Sequence, residues 1–198
     1  MRTLSAIGIV AALVLAAPAA WASTITVGTF ADPAGNSSTP LFTIEDTTLS
    51  GGWSGTGLTL AVPVASATYH DATFTITDLS IVDAEGALSG GSIQFYDNAS
   101  NPVLKIDFAG AQLLAFISPP FAVIFGFAAA DAGGHDVTIT GAGVPAGLTD
   151  EFFAFSFANQ TLSGDTGTWT ASFTSSAVPE PASLALLAAG IGAMARRR

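Results

Sequence analysis

The two histidines of the chain are its first candidates for catalysis, because each is followed directly by an aspartate, as His70-Asp71 and His135-Asp136. Neighbouring residues of a β-strand point to opposite faces of a sheet, so neither aspartate would orient the histidine beside it. The chain also has no Gly-x-Ser-x-Gly elbow and no His-Glu-x-x-His motif. We therefore expect no catalytic residues and no enzymatic activity. A secreted hydrolase ranks third among the candidate functions, after a structural protein and a binding module.

Calcium is a second kind of chemistry that the sequence allows, because many acids fall in or beside predicted loops. The most ligand-like loop is Asp131-Ala132-Gly133-Gly134-His135-Asp136, whose glycines would let backbone carbonyls turn inward. Its spacing is not that of an EF-hand, and the alternative is that these acids are solvated loop residues. Asp131 and Asp136 are the candidate metal ligands; we predict no required cofactor, with Ca²⁺ as the one candidate. Other loop acids are Asp83, Glu85, Asp97, Asp150 and Glu151.

The segments between the predicted loops show a hydrophobic period of two. Phe74 and Ile76 alternate with threonines, and the runs 104–108 and 153–157 alternate in the same way. Residues 112–116 are predicted to form a separate strand. Such runs have one buried face and one wet face, which is typical of antiparallel sheet. About eleven short strands predict an all-β fold, an antiparallel β-sandwich or jelly roll. The apolar run within residues 116–130 predicts either a strand buried on both faces or a short helix packed on the sandwich.

Length and charge restrict the function of this domain. The chain has 198 residues, enough for one ordinary domain, and no cysteine, so disulfides and thiolate metal sites are excluded. Within residues 23–178, fourteen acids face a single base, Lys105, which gives a formal charge of about −13. A surface with this charge repels phosphate backbones, and we expect no nucleic-acid partner.

The first 22 residues have the three parts of a secretory signal peptide. Arg2 is followed by an apolar run over residues 6–17 and by Ala20-Trp21-Ala22, a small-x-small cleavage site before Ser23. A retained membrane anchor is the alternative, but the run is short for a membrane span. We expect signal peptidase to cleave after Ala22, and an N-terminal signal helix before that cleavage.

Residues 178–198 form a second segment with three parts. Val178-Pro179-Glu180-Pro181 precedes an apolar stretch over residues 182–195 and a terminal cluster of Arg196, Arg197 and Arg198. As a helix the apolar stretch rises only about 21 Å, so it would span a membrane with snorkelling arginines or local thinning. The arginines should stay cytoplasmic by the positive-inside rule, which leaves residues 23–178 outside. The segment therefore predicts a C-terminal transmembrane helix.

This combination of motif, short apolar helix and arginine cluster resembles the PEP-CTERM sorting signal of Gram-negative bacteria that make exopolysaccharide. The resemblance covers about a tenth of the chain, and a plain C-terminal membrane tail is the alternative. It implies processing by an exosortase, a membrane-embedded cysteine transpeptidase. By the same resemblance, Pro179, Glu180 and Pro181 would be the recognition element and Arg196, Arg197 and Arg198 the stop.

Together these predictions divide the chain into a signal peptide (1–22), an acidic β domain (23–177) and a sorting segment (178–198). We expect an inner-membrane-anchored intermediate that is then transferred to the cell envelope or extracellular matrix. Its partners would be signal peptidase, exosortase, the membrane before processing, and exopolysaccharide or the surface matrix. The leading function is structural, and the alternative is a Ca²⁺-dependent carbohydrate- or surface-binding module.

Overall fold

The computed structural model of the chain describes residues 23–34, 39–118, 121–131 and 136–179. Residues Thr24–Val178 form one compact unit. The predicted signal peptide and the predicted transmembrane stretch lie outside the described residues. No helix in the described part of the chain has the length and hydrophobicity that a membrane span requires.

The described residues fold into β-strands and one short 3-10 turn, so the all-β prediction is confirmed. The turn is Pro63–Ala65. The strands are β1 Ile25–Phe30, β2 Phe42–Glu45, β3 Thr48–Trp53, β4 Leu60–Val62, β5 Ala67–Tyr69, β6 Thr73–Ile76, β7 Leu79–Ser80, β8 Ala87–Tyr96, β9 Pro102–Ser118, β10 Phe121–Ala130, β11 Thr138–Gly141, β12 Leu148–Ser163 and β13 Thr166–Pro179.

Eight of these strands close into a barrel, in the order β12-β10-β9-β8-β6-β3-β2-β13 and back to β12. The remaining strands pair with members of the ring or extend from it through β1, β4 and β5. The predicted β-sandwich or jelly roll was therefore wrong in architecture. Alternation of apolar and polar residues shows that each strand has one buried face, which a sandwich and a closed sheet share. The pairing of β13 with both β2 and β12 closes the ring, and periodicity does not encode that pairing.

The longest strand, β9, differs from its prediction because one strand replaces two. Residues 104–108 and 112–116 belong to a single strand of 17 residues. It pairs with β8 along most of its length, and it also pairs with β11 at residues 104–107 and with β10 at residues 112–118. Strand β9 can be this long because β8, β11 and β10 pair with successive parts of it.

The apolar run before residue 130 is a strand, which excludes the predicted alternative of a helix. It is not buried on both faces, because the Phe125 side chain is 56% exposed and its neighbour across the hairpin, Leu114, is 45% exposed. A closed sheet has only one interior face, so the Phe125 side chain is left on the outside.

Phenylalanine rings fill the interior of the barrel. Ring centroids of Phe42 and Phe155 lie 4.9 Å apart, those of Phe127 and Phe155 lie 5.0 Å apart, and those of Phe95 and Phe173 lie 5.0 Å apart. These rings come from strands far apart in sequence. Each buried ring stabilises the fold by roughly 1.5–3 kcal/mol relative to an exposed one, so the aromatic core favours the closed arrangement.

Candidate functional site

A groove of about 690 Å³ lies at one end of the sheet. Four segments line it: Thr39 and Pro40 before β2, the end of β3 and the residues after it, the start of β6, and the end of β8 with its following turn. β2, β3, β6 and β8 are successive antiparallel neighbours. The start of one strand therefore meets the end of the next, which brings these four segments together.

Part of the lining of the groove comes from the outer face of β6 and β8. Phe74 of β6 pairs with Trp53 of β3 and with Phe95 of β8, and all three side chains are buried. Residues adjacent to a buried strand residue point outward. Thr73, which pairs with Tyr96, therefore places its hydroxyl on the outer face.

Hydroxyl groups and three aromatic residues, Trp53, Phe74 and Tyr96, dominate the lining of this groove. The hydroxyls come from Thr39, Ser54, Thr73, Thr75, Tyr96 and Ser100. None of the described residues that line the groove carries a formal charge. The groove can therefore exchange hydrogen bonds in both directions and offers an apolar ring face, but it provides no group for an ion pair.

Trp53 lines the groove at the last residue of β3 and is only 8% exposed. Its indole N–H has no hydrogen-bond partner among the described residues. Gly55, two residues after Trp53, lies close to the indole ring: a Cβ at Gly55 would be 2.8 Å from Cζ2 of Trp53. Glycine at this position therefore leaves room for the Trp53 ring beside the groove.

The turn between β8 and β9 is held by the Asp97 carboxylate. It accepts hydrogen bonds from the backbone N–H groups of Ala99 (2.9 Å) and Asn101 (2.8 Å) and from the Asn101 side-chain amide (2.9 Å). These bonds, chiefly the one from the Asn101 side chain, lower the pKa of Asp97. Ser100 has a left-handed φ of 64° in this turn and lines the groove.

The loop after β3 is fixed in a similar way. The backbone N–H of Gly57, which has a φ of 91°, donates a hydrogen bond of 2.8 Å to Oδ1 of Asp71. Asp71, one of the two aspartates beside a histidine, therefore acts as a loop anchor. His70 points its Nδ1 to within 3.4 Å of the Thr59 hydroxyl, and His135 lies outside the described residues.

The predicted metal ligands lie at the start and end of the β10–β11 connection. Both oxygens of Asp131 accept backbone hydrogen bonds, Oδ1 from Val137 at 2.6 Å and Oδ2 from Glu151 at 3.0 Å. Asp136 is exposed with a left-handed φ of 42°, and residues 132–135 between the two lie outside the described residues. Across the described residues there is no group of three or more His, Cys, Asp or Glu side chains that could hold a metal ion. Calcium binding by Asp131 and Asp136 stays a prediction.

Glu151 is a buried acid that the sequence offered only as one loop acid among many. Its side chain is 6% exposed, and Oε1 accepts a hydrogen bond of 3.0 Å from the backbone N–H of Ile139. Burial raises the pKa of Glu151, and the negative charge of Asp131 raises it further, while the bond from Ile139 acts in the opposite direction. Asp131 and Glu151 thus attach the connection into β11 to strand β12.

Comparison with known families decides the nature of the C-terminal segment. Residues 177–198 match the family model of the PEP-CTERM protein-sorting motif. The chain carries a PEP-CTERM sorting signal. This motif implies an exported protein that an exosortase sorts to the cell surface. No curated protein and no solved structure matches the chain.

The start of the PEP-CTERM segment belongs to the sheet. Ala177 is fully buried and pairs with Ile25 of β1, and the carbonyl of Val178 accepts a hydrogen bond of 3.2 Å from the Thr149 hydroxyl. Strand β13 ends at Pro179. Glu180, Pro181 and the cluster of Arg196, Arg197 and Arg198 lie outside the described residues, as do Ala20 and Ala22 of the predicted signal cleavage site. Ser23 is exposed two residues before β1.

The residues of the groove were not predicted as a site. Tyr96, Thr73 and Trp53 are far apart in the chain, and each fits an ordinary alternating strand. The one local signal was the clustering of small residues around a tryptophan in Gly51-Gly52-Trp53-Ser54-Gly55. Only the pairing of β3, β6 and β8 brings them together.

Proposed function

We propose that this protein is an exported, non-enzymatic component of the cell envelope or extracellular matrix, and that it associates with exopolysaccharide. The observation that carries the proposal is the PEP-CTERM motif at residues 177–198. If the cell makes exopolysaccharide, a protein delivered to its surface would come into contact with that polymer.

The outer surface of the barrel supports association with polysaccharide. Thr75, Thr138 and Thr174 are exposed on strands β6, β11 and β13. Hydroxyl groups both donate and accept hydrogen bonds, which suits a polymer of sugars. The excess of fourteen acids over Lys105 keeps the domain soluble and self-repelling and disfavours nucleic acid.

Four acidic side chains among the described residues form structural hydrogen bonds, and this supports a non-catalytic role. Asp71, Asp97, Asp131 and Glu151 each accept backbone hydrogen bonds from their own or neighbouring loops. A catalytic acid or base must be able to reach a substrate, whereas these carboxylates hold the chain in place. We propose that the protein turns over no substrate.

The test is co-sedimentation of the full chain with exopolysaccharide purified from the cells that produce it. The protein is kept in a detergent without a sugar headgroup, and sedimentation is measured in calcium and in chelator. We expect polymer-dependent sedimentation and no release of new reducing ends from the polymer. Sedimentation equal to a polymer-free control would overturn the association, and release of reducing ends would overturn the non-enzymatic role.

The calcium arm of this experiment addresses the alternative function. If Asp131 and Asp136 bind Ca²⁺, chelator should abolish sedimentation, and an Asp136→Asn variant should do the same in the presence of calcium. Asp150→Asn is the control, because Asp150 is another exposed acid with a left-handed φ and lies near the start of β12. Calcium-dependent binding that only Asp136→Asn removes would establish the Ca²⁺-dependent module in place of ion-independent association.

Export and processing are tested separately. N-terminal sequencing of the surface form should find Ser23 as its first residue, and Met1 on that form would contradict cleavage after Ala22.

A Pro179→Ala, Pro181→Ala variant should remain at the inner membrane if these prolines form the recognition element. A Pro145→Ala variant is the control, because Pro145 lies in the loop after β11. Normal surface delivery of the double variant would contradict that role.

A further inference from the structure

We propose that the groove at the end of β3, β6 and β8 is a binding site for a neutral saccharide segment, with Tyr96 as its aromatic platform. This inference rests on the proposed function and deepens it, because it names the residues and the class of sugar. It also differs from the calcium-bridging alternative, since the groove contains no acid among its described lining residues.

Tyr96 offers the contact that distinguishes sugars from other hydroxylated ligands. The side chain is half-buried at the end of β8, and it pairs across the sheet with Thr73. A tyrosine held in this way presents a rigid apolar face and a polar edge at a low cost in side-chain entropy. The C–H face of a pyranose ring packs against such a surface while its hydroxyls remain free to form hydrogen bonds.

The neighbouring threonines supply those hydrogen bonds. Thr73 and Thr75 are two residues apart on β6 and lie on the same face, so their Cα atoms are separated by about 6.5 Å along the strand. Their side-chain hydroxyls form no hydrogen bond with any described residue, as is also true of the Tyr96 hydroxyl. Gly52, opposite Thr75 on β3, has no side chain to cover them.

Trp53 adds apolar surface to the groove that it lines. Its indole N–H is buried and has no hydrogen-bond partner among the described residues, as is also true of Trp169, which does not line the groove. The unpartnered N–H is therefore not specific to the groove, and the ligand contacts proposed here are those of Tyr96, Thr73 and Thr75.

The charge of the domain selects the class of sugar. The uncharged groove lies in a domain of about −13, and Asp97 belongs to the same turn as the lining residue Ser100. An anionic uronate or sulfated sugar would be repelled there, and no described cation lines the groove to offset that repulsion. The site therefore favours a saccharide without charged groups.

The test is affinity electrophoresis of the full chain, in a detergent without a sugar headgroup, through gels that contain dextran, laminarin, galactomannan or alginate. We expect at least one neutral polymer to retard the protein equally in calcium and in chelator, and alginate to have no effect. Tyr96→Ala and the double variant Thr73→Val, Thr75→Val should each weaken binding about tenfold or more, as for loss of a central anchor.

Matched controls exclude general loss of structure. Tyr69→Ala alters the chain's other tyrosine, on β5, and Thr68→Val removes an exposed hydroxyl from the same strand, outside the groove. Both should bind as the wild type does, and circular dichroism should confirm that every variant is folded. If the alanine variant of Tyr96 does not fold, the threonine double variant decides the question.

Several results would overturn the groove assignment. Equal retardation of the wild type and both groove variants, retardation by alginate but by no neutral polymer, or no retardation by any polymer would each do so. The proposed function fails separately, when the wild type does not sediment with the cell's own polymer. If that sedimentation occurs and is unchanged by the groove variants, the proposed function stands and the groove is not the site.

Discussion

The Ser175 side chain joins β13, a strand of the barrel, to β1, the first strand of the domain. Its Oγ accepts a hydrogen bond of 2.9 Å from the backbone N–H of Gly28 and donates one of 3.3 Å to the Gly28 carbonyl. The register of β1 against β13 shifts between Thr26 and Gly28, which leaves these backbone groups away from the regular ladder. Both residues are buried, so Ser175 replaces the lost backbone partners.

Replacing this hydroxyl should destabilise the domain. Ser175→Ala would leave the buried N–H of Gly28 without a partner, and we expect the free energy of unfolding to fall by about 1–3 kcal/mol. Urea unfolding followed by circular dichroism measures this change. Ser176→Ala, at the half-buried neighbouring position, is the control and should change the free energy by less than about 0.5 kcal/mol. An equal loss in the two variants would contradict the bulge-bridging role of Ser175.

The end of the folded domain should lie beyond residue 173. The hydrophobic alternation in the sequence is strongest up to Phe173, but Ser175 and Ala177 are also buried, and residues 173–177 pair with β1. A chain that ends after Val178 should therefore fold, whereas one that ends after Phe173 should lose the pairing of β1 and unfold at lower urea. Equal stability of the two truncated chains would show that these pairings contribute little.

Stability should depend on pH through Glu151. Because the folded-state pKa of Glu151 is raised, its favourable contribution is complete below its ordinary pKa of 4.5 and is lost as pH rises through the raised value. Glu151→Gln removes this titration but keeps an oxygen that can accept from Ile139. We expect the stability of Glu151→Gln relative to the wild type to rise as pH increases from about 4 to 7.

The exposed Glu45→Gln variant is the control for this pH effect, since it removes one charge without emptying a buried site. Urea unfolding at each pH measures both differences. A relative stability of Glu151→Gln that is flat with pH, or that follows Glu45→Gln, would contradict the raised pKa.

In the turn beside the groove, the pKa of Asp97 is lowered, whereas that of Glu151 is raised. Asn101→Ala removes the largest contribution that lowers the pKa of Asp97, so this pKa should rise toward its ordinary value. An NMR titration of the side-chain carboxyl measures the change. Asn98→Ala, an exposed residue of the same turn, should leave the pKa of Asp97 unchanged. If the two variants shift it equally, the Asn101 side chain is not its cause.

Local pattern was sufficient for some features and insufficient for others. The alternation of Phe153, Phe155 and Phe157 with small residues predicted strand β12 correctly because a strand repeats every two residues whatever its partners are. The same alternation could not show that β12 and β13 close a ring. Glu151 illustrates the limit for single residues, since its burial depends on β11 lying over β12, which no neighbouring residue in the chain indicates.

Local patterns are sufficient to predict that the protein is all-β and carries a PEP-CTERM sorting signal, because periodicity and a linear motif are properties of neighbouring residues. The acidic charge and the lack of cysteine follow directly from the composition. The tertiary structure alone decided the closed barrel, the burial of Glu151 and the groove around Tyr96. These features depend on which strand edges meet, and edge pairing joins residues such as Gly28 and Ser175 that lie 147 positions apart.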